Sequence, residues 1–309
     1  MVCSSPLLRH LIPRLHQMSL VLLALLLCTC NTDADHQTAA VICSTPRVTG
    51  RLPAELAEAS GLATAADNEY VWVITDGDLP RLYAVDSTGS IVARIAVSQA
   101  RKRDWESLAA ASCATGRCLY IADIGDNLRA RTSLRVYRIP EPSLSADSTA
   151  PVAAFEFRFP DGAHDAEAIF VLPDEQLYVV TKGRSGPIGV YRYPGTLHDD
   201  SVVTLSLLQQ LSPGLVQLPD MVTGAGSTPD GRWIVLRTYA YAQLYQFNAG
   251  RLQPILPEPG LDLQALQEHQ GEGVDMRADG TLLLLSEKGL DEGNPPISRV
   301  DCTLPVQDR

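Results

Sequence analysis

The sequence predicts an all-β fold, a β-propeller of five four-stranded blades, and three recurring features carry that prediction. The first is a short anchor of one acidic or hydroxyl residue followed by small and apolar ones. It occurs as Ser60-Gly61-Leu62, Glu106-Ser107-Leu108, Glu167-Ala168-Ile169, Thr223-Gly224-Ala225 and Glu272-Gly273-Val274. Successive anchors lie 46, 61, 56 and 49 residues apart, steps the size of a propeller blade. The second is an apolar run about ten residues after each anchor, of strand length: residues 71–74, 119–122, 177–180, 233–236 and 282–285. The third is an aromatic-apolar strand beyond it, with the alternation of period two, at 82–85, 136–139, 190–193, 244–247 and, more weakly, 297–300.

Taken in order, each unit reads as anchor strand, hairpin, second strand, third strand and outer strand. Asp and Gly turns such as Pro229-Asp230-Gly231 and Ala278-Asp279-Gly280 precede the second strands, as tight hairpins require. Outer strands are expected at 91–97, 153–159, 202–208 and 252–256. The fifth unit lacks one, and the extended segment 40–52 is available to supply it. Pairing there closes the ring and leaves no free sheet edge. A sixth blade is the alternative, if the long interval between Glu106 and Glu167 hides one. Helical signal is confined to 262–269, and the Ser/Pro/Ala-rich stretch 141–150 reads as a surface loop.

The first 30 residues read as a targeting segment, followed by a linker over 31–39 and a single domain over 40–309. Arg9 and Arg14 precede an unbroken apolar run, 20–27, too short to span a bilayer. Cys28 and Cys30 close that run, so Cys30 is a candidate for lipidation; the alternative is ordinary cleavage near Ala39. The chain is expected to be exported, as a periplasmic or outer-membrane-associated lipoprotein or a secreted protein. Its only membrane contact would be the lipid anchor, and a monomer is expected.

Four cysteines remain beyond that segment. Cys43 in the closing strand and Cys302 after the last strand would staple the ring, and Cys113 with Cys118 would close a short hairpin. An even count in an exported chain favours disulfides over a zinc site, for which a second ligand pair is missing. The whole chain carries a net charge of −11, which disfavours a nucleic-acid partner.

Inner strands of a propeller line the central channel, so the anchors should bring Glu106, Glu167 and Glu272 together. Converging carboxylates repel unless neutralised, so a divalent cation, Ca²⁺ first, is a candidate, with no organic cofactor. The turns carrying Asp76, Asp78, Asp123, Asp126 and Asn127 supply further oxygen ligands. Corresponding turns of later blades carry Lys182, Arg184, Arg237, Tyr239, Glu287 and Lys288. With His164 as a candidate base and Lys182 and Arg237 as partners, such a rim suits proton transfer or a small anionic ligand. There is no phosphate-binding Gly-rich loop before a helix, no Gly-x-Ser-x-Gly elbow and no His-rich metal motif.

The second unit is the most complete. Asp104-Trp105-Glu106, Tyr120 through Asn127 and Tyr137-Arg138-Ile139-Pro140-Glu141-Pro142 resemble a family of exported bacterial propeller proteins near the esterase-like phytase propellers and, more distantly, the gluconolactonase-like group. That resemblance implies calcium-dependent hydrolysis of phosphoesters or lactones. Two functions are therefore expected: a binding or scaffold module for an envelope protein or a small anionic ligand, or a metal-dependent hydrolase of an anionic small substrate.

Overall fold

The computed structural model describes residues 41–290 and 293–305. Twenty-one strands form five sheets of four positions each, all antiparallel within a blade; short extra strands at 203–204 and 261–262 join two of them, and the closing position is shared by two segments. Blade 1 holds Ala59–Thr64, Tyr70–Thr75, Arg81–Asp86 and Ile91–Ala96. Blade 2 holds Trp105–Cys113, Gly116–Asp123, Leu134–Pro140 and Ala153–Arg158. Blade 3 holds Ala166–Val171, Leu177–Thr181, Pro187–Arg192 and Ser206–Leu215. Blade 4 holds Val222–Ser227, Trp233–Thr238, Tyr241–Asn248 and Arg251–Pro254. Blade 5 holds Gln270–Met276, Thr281–Glu287 and Pro296–Thr303.

The outer strand of blade 5 comes from the start of the domain, as Ile42–Cys43 and Arg47–Arg51 pair antiparallel with Pro296–Thr303. Cys43 stands opposite Cys302 in that register, and the two form a disulfide. A second disulfide joins Cys113 to Cys118 across the first hairpin of blade 2. Paired cysteines are the mark of an oxidising compartment. Among the described residues no helix is long and apolar enough to cross a membrane. The targeting segment, Cys28, Cys30 and the linker lie outside the described residues.

The core is divided among five clusters, each between neighbouring blades. Trp72, Leu82 and Ile95 of blade 1 meet Leu108, Leu119 and Tyr137 of blade 2, and Phe170 and Tyr178 of blade 3 meet Ile234 and Leu236 of blade 4. A middle strand is therefore covered on both faces, which is why its sequence is a continuous apolar run rather than an alternating one. Outer strands keep one face in solvent and alternate, as Ile91–Ala96 does.

One alternative falls and two expectations change. The interval between Glu106 and Glu167 holds no sixth blade; long hairpin strands and the loop before Ala153 fill it. The helix over 262–269 is a single 3-10 turn, Gln264–Leu266, ended by Gln267 in the left-handed region. Segment 202–208 is divided: Val203–Thr204 runs parallel to the edge of blade 2, and only Ser206–Leu215 joins blade 3.

The closing disulfide spans 259 residues of sequence. Replacing both Cys43 and Cys302 by Ser is expected to lower stability by about 4 kcal/mol, and the same change at Cys113 and Cys118 by about half as much, because the smaller loop restricts the unfolded chain less. Denaturant unfolding of the two double variants checks this order.

Candidate functional site at the channel mouth

The five inner strands begin at the same end of the ring, and each carries an irregularity at its anchor. Strand register shifts between Ala59 and Gly61, Trp105 and Ser107, Ala166 and Ala168, Val222 and Gly224, and Gly271 and Val274. Such a bulge re-aims the extra residue, here Ser60, Glu106, Glu167, Thr223 and Glu272. Small residues follow because inner strands touch backbone to backbone. A Cβ on Gly61 would lie 2.7 Å from the Leu108 amide nitrogen, and one on Gly224 would overlap the Glu272 carbonyl.

A cavity of about 260 Å³ opens at this end, lined by Ser60, Asp76, Glu106, Asn127, Glu167, Lys182, Arg184, Tyr239, Gln270, Glu272 and Glu287. Every lining residue is polar, and the five carboxyl groups face only two cationic side chains. Hydroxyl anchors behave differently from acidic ones. Ser60 Oγ donates to the Trp105 carbonyl at 2.7 Å and Thr223 Oγ1 to the Gly271 carbonyl at 2.7 Å. Each therefore stitches one inner strand to the next, whereas the three glutamates remain at the cavity.

Lys182 donates to Glu167 Oε1 at 2.7 Å, with their side chains 10% and 3% exposed, and its ammonium lies 5.8 Å from the Tyr239 ring centre. Burial alone would depress the Lys182 ammonium, but Glu167, Tyr239 and Glu272 outweigh it and hold the proton on. The glutamates are pushed the other way. Burial, then the charge of Glu167, raises Glu106 and Glu272 well above the ordinary range, with Asp104 adding to Glu106. Burial raises Glu167 as well, with Lys182 opposing it, to about 7. At the rim, burial and the neighbouring Asp104 raise Asp76 to about 7. The surplus of acids is thus relieved partly by protonation.

Of the residues selected from sequence, Asp76, Glu106, Asn127, Glu167, Lys182, Arg184, Tyr239, Glu272 and Glu287 meet at this cavity; Ser60 and Gln270 join them. Ser60 was visible as the anchor of the first repeat. Gln270 carries no signal of its own, because it precedes its anchor by two residues.

The remaining candidates sit elsewhere, and each has a physical reason. Asp123 Oδ1 and Oδ2 accept the backbone N–H groups of Asp104 and Arg103, and Oδ1 also pairs with Arg131 at 2.9 Å, the side chains 4% (Arg131) and 1% (Asp123) exposed. Asp126 accepts from the N–H groups of Ala130 and Arg131. Both acids hold the turn, and their oxygens are already engaged. Gly125 lets that turn pass where a Cβ would collide with the carboxylates of Asp104 and Glu106. Arg237 is sealed in the core, where it pairs with Glu268 and donates to the carbonyls of Gly273 at 3.0 Å and Leu285 at 2.9 Å. His164 bonds Asp161 at 3.0 Å, packs edge-on against Phe159 and lines a separate cavity of about 330 Å³. Asp78 is exposed in its turn, and Lys288 faces a neighbouring pocket with Arg51 and His269. Among the described residues no group of three or more His, Cys, Asp or Glu side chains is arranged to hold a metal ion.

Comparison with known proteins yields likeness of fold. No protein-family model matches the chain, and no curated protein matches it in sequence. The apo-form of the soluble aldose sugar dehydrogenase from Escherichia coli is 10% identical, with a TM-score of 0.50 over 84% of this chain and 99% of that one. The PQQ-bound aldose sugar dehydrogenase from Streptomyces coelicolor is 11% identical, with a TM-score of 0.49 over 85% and 99%. A gluconolactonase from Xanthomonas campestris is 16% identical, with a TM-score of 0.45 over 84% and 95%.

Two measurements follow from the charges. Arg237→Ala leaves Glu268 buried without its partner and is expected to destabilise the domain by about 3–5 kcal/mol, read from denaturant unfolding. The channel glutamates bind protons more tightly folded than unfolded, so stability is greatest at low pH and falls as pH rises; for Glu167 the window runs from the ordinary value of 4.5 to about 7. Glu106→Gln should therefore raise the melting temperature at about pH 8 by a few degrees and leave it nearly unchanged at about pH 4. A variant less stable at both pH values would contradict that account.

Proposed function

We propose that the channel mouth is the active site of a hydrolase acting on a small polar ester, of lactone or phosphoester type. The observation that carries this reading is the buried cluster of Glu106, Glu167, Lys182 and Glu272, in which burial and mutual repulsion raise the carboxyl groups above their ordinary range beside a fixed ammonium. A scaffold has no need to gather ionisable groups in a cavity, since each costs stability; catalysis does. The wholly polar lining favours a hydroxylated or charged substrate, and the small volume favours a small molecule over a peptide.

In this scheme Glu167, raised to about 7, accepts the proton of the attacking water. Water oxygen bonds to the ester carbon or phosphorus, Lys182 stabilises the developing oxyanion, and protonated Glu106 or Glu272 delivers its proton to the departing oxygen as the ester bond breaks. Proton balance is kept, because the base gains what the acid loses. A divalent cation enters no step here. The oxygen-only donors suit Ca²⁺, but the carboxylates do not form a ligand group as arranged, and Lys182 supplies the positive charge beside Glu167.

Purified domain should hydrolyse members of a panel of lactones and phosphomonoesters, with Glu106→Gln, Glu167→Gln and Lys182→Met each losing about a hundredfold to ten-thousandfold in kcat. Turnover unaffected by all three substitutions would sink the proposal. Chelator treatment is expected to leave both activity and melting temperature unchanged; a loss of both, restored by Ca²⁺, would return the cation to the mechanism.

A further inference from the structure

A basic cavity lies beside the channel rather than in it. A cavity of about 540 Å³ is lined by Arg101, Lys102, Arg103, Asp123, Ala130, Arg131, Thr132, Ser133 and Arg135. Five of its nine lining residues are cationic and one is acidic, in a chain whose net charge is −11. Such a concentration of like charge opposes folding unless something offsets it.

The protein offsets only part of it. Asp123 is consumed by Arg131 and by two backbone N–H groups. Glu156 pairs with Arg135 at 3.0 Å, and Asp76 and Asp104 act on Lys102 from the channel side. Among the described residues, Arg101, Lys102 and Arg103 form no ion pair within 4.0 Å. Buried Nε atoms of both Arg131 and Arg135 lack any acceptor.

The basic run is also held in place. Tyr137 Oη accepts the Arg101 N–H at 3.0 Å and donates to the Arg101 carbonyl at 2.9 Å, and Asp123 takes the Arg103 N–H at 3.0 Å. These bonds fix the backbone and leave the Arg101 and Arg103 side chains exposed, while the Lys102 ammonium lies 5.6 Å from the Trp105 ring centre. Guanidinium groups match the oxygens of phosphate in paired hydrogen bonds, and the Thr132 hydroxyl stands at the same wall, whereas Ser133 Oγ already donates to Glu156 at 3.3 Å.

From this arrangement we infer that the cavity between the 101–103 segment and the 130–135 turn binds a phosphate group, carried by a small soluble molecule or by a lipid headgroup. This site is separate from the channel carboxylates and does not depend on hydrolysis there.

The test uses the folded domain and inorganic phosphate and pyrophosphate as probes, by calorimetry at low ionic strength with chloride-matched controls. Wild type should bind pyrophosphate more tightly than phosphate, and Arg101→Gln/Lys102→Gln/Arg103→Gln should bind it at least about tenfold more weakly. Arg232→Gln, which alters an exposed arginine paired with Asp230, serves as the control and should bind as wild type does. Co-sedimentation with vesicles of anionic phospholipid, against phosphatidylcholine alone, separates the two sources. Vesicle binding that pyrophosphate displaces assigns the site to a headgroup; pyrophosphate binding without vesicle binding assigns it to a soluble ligand. Equal affinity in the triple variant, or no binding of either probe by wild type, overturns the inference. Loss of hydrolysis with phosphate binding intact would bear on the channel alone.

Discussion

Five inner strands meeting at one axis is the constraint on which the rest of this structure depends. Their backbones approach so closely that Gly61 and Gly224 have no room for a side chain. A cavity opens where the strands begin. There the bulge at each anchor turns one side chain toward the cavity. The same crowding that closes the ring thus concentrates functional side chains at a single place.

Electrostatics follows from that geometry. Glutamates that would be unremarkable at a surface become costly when they share a small volume, and the molecule relieves them with Lys182 and with retained protons. Where an anchor is Ser60 or Thr223, the hydroxyl instead bonds the neighbouring strand and adds to the cohesion of the ring. Acidic anchors gather ionisable groups at the cavity at some expense in stability, and hydroxyl anchors add to stability instead. The buried pairs Arg131–Asp123 and Arg237–Glu268 belong to the second kind, since they join segments that would otherwise bury unpaired backbone groups.

The chain itself made much of this legible. Anchor, apolar run and aromatic strand recur in register, so the five blades and the closing segment could be read before any coordinates, and the cysteine positions matched the strands they join. Glu106, Glu167 and Glu272 could be grouped because a repeat assigns equivalent positions to one end of the ring. The charged turns were harder. Arg237 and Lys182 read as residues of equivalent turns, yet Arg237 lies within the strand Trp233–Thr238 and is sealed in the core, while Lys182 follows its strand and faces the cavity. Asp123 and Asp126 read as ligands because Asp-Gly turns present oxygens, but backbone N–H groups nearby claimed those oxygens first.

Periodicity is local, so the sequence alone determined the class of fold, the blade boundaries and which strands are covered on both faces. Which carboxylates share a cavity, and which are neutralised by an arginine far along the chain, depends on distances among residues of different blades. Ring closure sets those distances. Lys182 meeting Glu167, and Arg101 to Arg103 facing Arg131 and Arg135, are therefore products of the assembled tertiary structure, and with them the charges from which a function can be argued.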